Sequence, residues 1–294
     1  MLIVAERSAP HRRQKPADLL RREQCRHPWL WDGLCFAVPF HEASYLGLYD
    51  VVNNIRPSTV SGLVWARDAE GNTVARLGTS SYLEYPDNPT HDRPSMELTA
   101  YVRTKFAGSS DSDGGLISNW RSLTGPLFPT WQIRQYHNLP NNHLIAELGI
   151  LDPITSQTFG TTDTASLPQT KFANVVFRWR SGEQLSIMCL GERGEKLFDA
   201  DLSTRTADGP LPYGAGNGIR INAIQDVTAN YSADYSQAMV WSRRLSDTEV
   251  YLLCSDPFGW YSPRRETVGI SLPVFGGNRN SDASVDMAPL AESG

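Results

Sequence analysis

Residues Tyr231–Trp260 read YSADYSQAMVWSRRLSDTEVYLLCSDPFGW, and this stretch decides the fold. From Tyr235 to Trp241 polar and apolar residues alternate, the period of a β-strand. The chain then turns a corner through Ser242 to Leu245. Ser246 and Glu249 have the spacing of a capping box, in which each side chain satisfies an orphan amide of the first helical turn. Leu245 and Val250 are spaced as the hydrophobic staple around that box. Pro257 ends the element, because its ring cannot continue a helix. The reading is a strand, a corner and a short, capped helix.

Working outward, the same period recurs. In Glu97–Arg103, Leu98, Ala100 and Val102 point one way and Glu97, Thr99, Tyr101 and Arg103 the other, which predicts a half-buried strand. Trp131–Tyr136 and His143–Leu148 predict a hairpin through Leu139, Pro140, Asn141 and Asn142. Asn174–Trp179 and Gln184–Leu190 predict a second one across Ser181 and Gly182. Further strands are expected over Gly62–Arg67, Thr73–Leu77, Tyr82–Tyr85, Leu116–Asn119 and Gly218–Ile224. Parallel doubly wound folds need a helix between strands, and this sequence has one convincing helix. The fold class is therefore all-β: an antiparallel two-sheet jelly-roll sandwich with a short C-terminal helix and extended arms at both ends. No internal repeat is visible.

A chain of 294 residues with 40% hydrophobic and 20% charged residues, 23 Gly and 19 Pro suits a loop-rich globular protein. Its texture divides it into a basic extended arm over 1–27, a jelly-roll body over 28–262 and an irregular tail over 263–294. The net charge is −5, unevenly spread. Residues 1–27 hold Arg7, Arg12, Arg13, Lys15, Arg21, Arg22 and Arg26 against Glu6, Asp18 and Glu23, about +4, which leaves about −9 for the rest. Such an arm reads either as a dock for an acidic partner or as a solvated tail. No segment approaches the roughly 20 apolar residues of a membrane span. The opening MLIVAERSAPHRR lacks the apolar block and cleavage site of a secretory signal. Cys25, Cys35, Cys189 and Cys254 have no metal-ligand or redox spacing and read as buried free thiols, in keeping with a reducing cytoplasm.

Taken in order, the pieces resemble the laminin-G-like, concanavalin A-like jelly rolls over about 235 residues. The stretches that carry the resemblance are HPWLWDGLCFAVPF, LYDVVNN, SSYLEYPD, SMELTAYVRTKF with GGLISNW, WQIRQY with HLIAEL, NVVFRWRSGEQLSIMCLG, GIRINA and SQAMVWSRRLSDTEVYLL. Two departures stand out. Asp234, Tyr235, Ser236 and Gln237 replace the family's Gly and acidic residue ahead of the last strand. Leu190, Gly191 and Glu192 replace its Asp-Gly at the second hairpin. No calcium or sugar site is therefore carried over. Within the family, HPWLWDGL and DPFGWYSPRR are most similar to proteins encoded by tailed bacteriophages and prophages.

Glycosidases among these jelly rolls place acids at alternate positions of one strand, where period 2 puts them on one face. No strand here has the E-x-D-x-E spacing: Glu97 is followed by Thr99 and Tyr101, and Glu147 by Gly149. Asp111, Asp113 and Gly114 open like a calcium loop, but Gly115 and Ser122 stand where an EF-hand needs oxygen ligands. A loop calcium of another geometry stays open, and no cofactor is otherwise expected. Gly214, Gly216 and Gly218 lead into the strand-like IRINAI, not a phosphate-binding helix. The histidines lack ligand spacing, and no nucleophile elbow is present.

Eight tryptophans point elsewhere, since sugar sites combine a flat aromatic face with a few fixed polar groups. The candidate carbohydrate-binding residues are Asn119, Trp120 and Arg121 before a loop, Arg134 and Tyr136 on one strand face, and Asn141 and Asn142 at a hairpin tip. Trp131, Trp179 and Trp241 are in register for the core, and Trp29 and Trp31 for stapling the arm. The resemblance implies a non-enzymatic virion structural protein of a tailed phage, made in the host cytoplasm, in the capsid decoration or the tail. It would dock on other virion proteins through Arg7, Arg12, Arg13, Lys15, Arg21 and Arg22, with glycans and a homo-oligomer as further possible partners and no membrane. The alternatives are a free carbohydrate-binding lectin and, behind it, a divergent glycoside hydrolase.

Overall fold

The computed structural model describes residues 21–263, except 44, 92–93, 107–113, 120–129, 139–140, 151–156, 164–170, 193, 212–217, 225–226 and 229–231. Of the arm and tail, residues 1–20 and 264–294 lie outside that set, and with them Arg7, Arg12, Arg13 and Lys15.

Among the described residues the body holds fifteen strands and one α-helix. In chain order they are β1 (Leu34–Val38), β2 (Thr59–Arg67), β3 (Thr73–Glu84), β4 (Glu97–Phe106), β5 (Gly114–Asn119), β6 (Trp131–Asn138), β7 (Asn141–Ile150) and β8 (Gln157–Asp163). There follow β9 (Ala173–Arg180), β10 (Glu183–Leu190), β11 (Lys196–Ala207), β12 (Ile219–Ile221), β13 (Ala223–Ile224), β14 (Val227–Thr228), β15 (Ala233–Trp241) and α1 (Asp247–Ser255). All pairings between strands are antiparallel.

The two layers are one hydrogen-bonded sheet, folded over. Its strand order is β11-β10-β9-β4-β15-β3-β12-β5-β6-β7-β8, with β1 added beside β15 and β2 beside β3. The fold line is β3. Its first half pairs with β15 at Ala75–Leu77, its end pairs with β12 at Leu83 and Glu84, and β2 follows it along its length. What sequence alternation presents as two strands, Thr73–Leu77 and Tyr82–Tyr85, is thus a single bent one. At the bend β2 is bulged between Ser61 and Leu63. Gly62 there has φ +62, and a Cβ on it would lie 2.1 Å from the Ser81 hydroxyl oxygen, so the position needs glycine. At the far rim β8 lies alongside β11.

Between the layers sits the main core. Layer one supplies Ala100, Val102, Val175, Phe177, Trp179, Ile187 and Val240, and layer two Ile117, Trp131, Ile133, Leu144, Leu148, Ile219 and Ile221. Phase within β15 shifts at the bulge between Tyr235 and Gln237, so that Ala233 and Tyr235 face this core before the bulge and Ala238 and Val240 after it.

The outer face of layer one corrects an expectation. Thr99, Tyr101 and Arg103 are as buried as Leu98 and Ala100, so β4 is buried on both faces. The cause is a second core in which α1 (Val250, Leu253, Cys254), Phe258, Trp260, Tyr261 and Leu30 cover Tyr101, Val176, Met188, Met239 and Trp241. Some polar groups under this cover find specific partners there. Gln237 donates to the Pro257 carbonyl at 2.8 Å and accepts from the Trp260 indole N–H at 2.8 Å. Arg103 stacks over Phe172 at 4.5 Å and Phe258 at 5.7 Å.

The segments flanking the body belong to this cover. Residues 21–32 pair with 256–263: the Arg26 amide donates to Ser262 O, the His27 amide to Gly259 O, and the Trp31 indole to Trp260 O at 2.7 Å. Trp241 likewise donates to Leu30 O at 2.6 Å. Arg21 caps a short 3-10 turn, and Arg22 bonds Asp32 and the Pro28 carbonyl. These two arginines of the expected arm therefore stand on the body. HPWLWDGL and the described part of DPFGWYSPRR, far apart in sequence, are in contact. All four cysteines are buried free thiols.

Candidate functional site

The corner after β15 builds a concave site. Thr99 on β4 holds it: its hydroxyl donates to Arg243 O at 2.8 Å and accepts from the Leu245 amide at 2.9 Å. Ser246 caps α1 and Glu249 closes the capping box, as the spacing predicts. Arg243 joins Glu249 (2.7 and 2.9 Å) to the carbonyls of Asp32 and Trp29. Burial pushes the Glu249 carboxyl up, but Arg243 and the Ser246 amide and hydroxyl outweigh it, leaving it below the usual range.

Fixed in this way, α1 stops short of the β10–β11 edge and leaves a groove of about 610 Å³. Met188 and Leu190 of β10 and Val250 of α1 give it apolar walls, with the Ser186 hydroxyl among them. Arg178 of β9, Lys196 at the start of β11 and Arg244 of the corner are its cations, and Asp247 is its one carboxylate. Arg178 is nearly buried. It donates to Leu245 O at 3.0 Å and to Asp247 at 2.6 Å, while its Nε–H has no partner. Arg244 pairs with Glu183, and its backbone amide donates to Glu97 at 2.9 Å. Arg178, then Arg244 and Lys196, hold the Asp247 carboxyl below the usual range, so three cations act at one point. Tyr251, 56% exposed, stands at the lip with its ring against Gly194.

Few of the residues named from sequence come together. Asn119 pairs across the ladder with Trp131 and is wholly buried, with neither amide atom hydrogen-bonded. Arg134 lies farther along β6, in the opposite phase, and makes a two-pronged ion pair with Glu147 at 3.0 and 3.1 Å, which Gln132 joins. Tyr136 pairs with His143, Asn142 with His137 and Asn141 with Asn138, so both asparagines open strand β7 at the end of the β6–β7 ladder. Trp120, Arg121, Asp111, Asp113, Gly214 and Gly216 lie outside the described residues. Gly218 is fixed by contact, since a Cβ there would lie 1.8 Å from Tyr85 O. Among the described residues no cluster of three His, Cys, Asp or Glu side chains could hold a metal. No described helix is long and apolar enough to cross a membrane.

The groove escaped sequence reading because its residues come from β9, β10, β11, the corner and α1. One signal was available: Arg178 interrupts the apolar run VVFRWR, and an arginine buried in such a run needs a dedicated acceptor.

No family model and no curated protein matches the chain. Solved structures match it in fold. The binding domain of Paraclostridial Mosquitocidal Protein 1 aligns at TM-score 0.55 and 12% identity, over 75% of this chain and 51% of that one. The receptor-binding domain of the botulinum neurotoxin C/D mosaic serotype aligns at 0.54 and 10%, over 79% and 55%. The botulinum neurotoxin serotype C1 binding domain aligns at 0.51 and 14%, over 75% and 51%. The chain thus spans about half the length of these structures. At such identities the likeness is one of architecture: the chain shares with these binding domains a jelly-roll-like antiparallel β-sandwich.

Proposed function

We propose that this chain is a non-enzymatic, lectin-like binding module, carried on the particle of a tailed phage and attached to neighbouring virion proteins by its terminal arms. The groove beside α1 is the observation that carries the binding part. It joins apolar walls, an exposed aromatic ring and polar groups fixed by their own bonds, the combination by which proteins hold small polar ligands. The folds it resembles, at TM-scores of 0.51 to 0.55, belong to structures described as binding domains. No strand carries the alternate acids of a glycosidase, and Glu97 and Glu147 are paired with Arg180 and Arg134. The phage part rests on HPWLWDGL and DPFGWYSPRR, whose described residues are in contact over layer one, and on the basic residues of 1–27.

Two measurements test the two parts. The full chain, applied to a glycan array, is expected to bind a defined subset of saccharides; an array without signal removes the lectin reading. Mass spectrometry of purified particles from an induced host is expected to detect the chain at structural-protein levels. Its absence from intact particles, with glycan binding retained, makes it a free lectin.

A further inference from the structure

We infer that the outer edge of β2 pairs antiparallel with β2 of a second copy of this chain, joining two sheets across a two-fold axis. β2 bonds β3 along one side only. In an antiparallel ladder every second residue turns its N–H and C=O away from the partner strand. Among the described residues no group meets those of β2 on its outer side. None of its nine residues is buried. Val64, 58% exposed, stands near its centre, and Leu63 and Trp65 are only partly covered by the main core. Arg76, opposite Val64 on β3, is already engaged with Asp234 at 2.6 Å.

The occupant follows from what this edge presents. Between Arg56 and Arg67 the chain reads PSTVSGLVWA, without the charges by which edge strands repel a neighbour. Two copies therefore meet with no like charges opposed along the ladder. The bulge at Gly62 lies near the middle of the strand, where a two-fold axis sets the bulges of two copies side by side. The flanks are self-complementary. Arg56, exposed, bonds the Tyr49 hydroxyl and lies over that ring at 5.0 Å, with no carboxylate partner among the described residues. Asp68 accepts the Glu70 and Asn72 amides at 3.0 and 2.7 Å and the Asn72 side chain at 2.9 Å, and no described cation pairs with it. Antiparallel pairing sets the start of each strand beside the end of the other, so Arg56 of one copy approaches Asp68 of its mate, and the contact occurs twice. One strand edge buries less than the roughly 1,200–2,000 Å² of a standard interface, so the dimer is weak and forms as concentration rises.

The experiment is sedimentation equilibrium of the full chain over rising concentration, with amide exchange measured at both ends of that range. Wild type is expected to pass from monomer to dimer, and amides within Thr59–Arg67 to slow as it does so. Val64→Lys sets two lysines against each other near the axis and is expected to weaken the dimer by about tenfold or more, with unchanged melting temperature. Val64→Thr, still β-branched and uncharged, is expected to keep it, and Arg56→Glu to weaken it. A dimer that Val64→Lys leaves intact, or one without slowing in β2, overturns the inference. So does a chain that stays monomeric throughout; slowing of β2 only on adding other particle proteins makes the occupant a foreign strand and overturns self-pairing.

Discussion

Single residues govern how the sheet bends. Asn222 sits between β12 and β13 with φ +62, wholly buried, and its amide donates to Ser81 O at 2.7 Å while accepting from the Tyr235 hydroxyl at 2.9 Å. It therefore ties the fold line of β3 to the central strand β15. Asparagine tolerates the left-handed region better than other side-chain-bearing residues. Asn222→Ala should lose both the bonds and the conformational fit, about 2–4 kcal/mol in a denaturant titration. Asn222→Gly keeps the backbone conformation and should lose less. Equal losses would mean that the side-chain bonds alone matter. The buried Asp234, gripped by Arg76 at 2.6 and 2.9 Å and approached by Lys105 at 3.4 Å, secures the same end of β15 to β3 and β4.

At the level of elements, the capped helix is the most legible part of the chain, and it carries two carboxyls depressed on folding, Asp247 and Glu249. Ser246→Ala should cost about 1 kcal/mol, the usual worth of an N-cap. Glu249, Glu97 and Asp247 all have carboxyls depressed in the folded state, through Arg243, the Arg244 amide with Arg180, and Arg178 respectively, against burial at each. A depressed folded value makes the stabilisation complete above the ordinary carboxylate range and lost as pH falls through the folded values. Melting temperature followed from about pH 6 to about pH 3 should fall more steeply in wild type than in Glu249→Gln. Parallel curves would show that the Arg243 clamp contributes nothing. The cap, the corner and the hairpins were legible because their signals are local. β8 and β11 were not: QTFGTTD lacks strong alternation, and in KLFDADLSTRTA the period is carried by Phe198, Ala200 and Leu202 alone. The double burial of β4 was also hidden, because the cover over Tyr101 and Arg103 comes from Leu30, Phe172 and the stretch after β15, all far from β4 in sequence.

In the whole molecule, layer one is enclosed on both sides and layer two closes the main core beneath it. Amides of β4, β9 and β15 should therefore exchange with solvent most slowly, and those of the short β13–β14 pair among the fastest. Trp260→Ala removes a fully buried indole that donates to Gln237 and packs against the Trp31 ring at 5.4 Å, and should cost about 3–5 kcal/mol in a chemical melt. A loss near zero would show that the cover over layer one adds nothing to global stability. The position of β15 has one more consequence. It fills the gap between β4 on one edge and β3 and β1 on the other, yet it is the last of the described strands to be synthesised. Until Trp241 leaves the ribosome, the nascent polypeptide holds two unmatched ladder margins, each able to capture a foreign chain. Completion of the sheet thus waits for β15, and its yield in a cell depends on how long those margins are shielded.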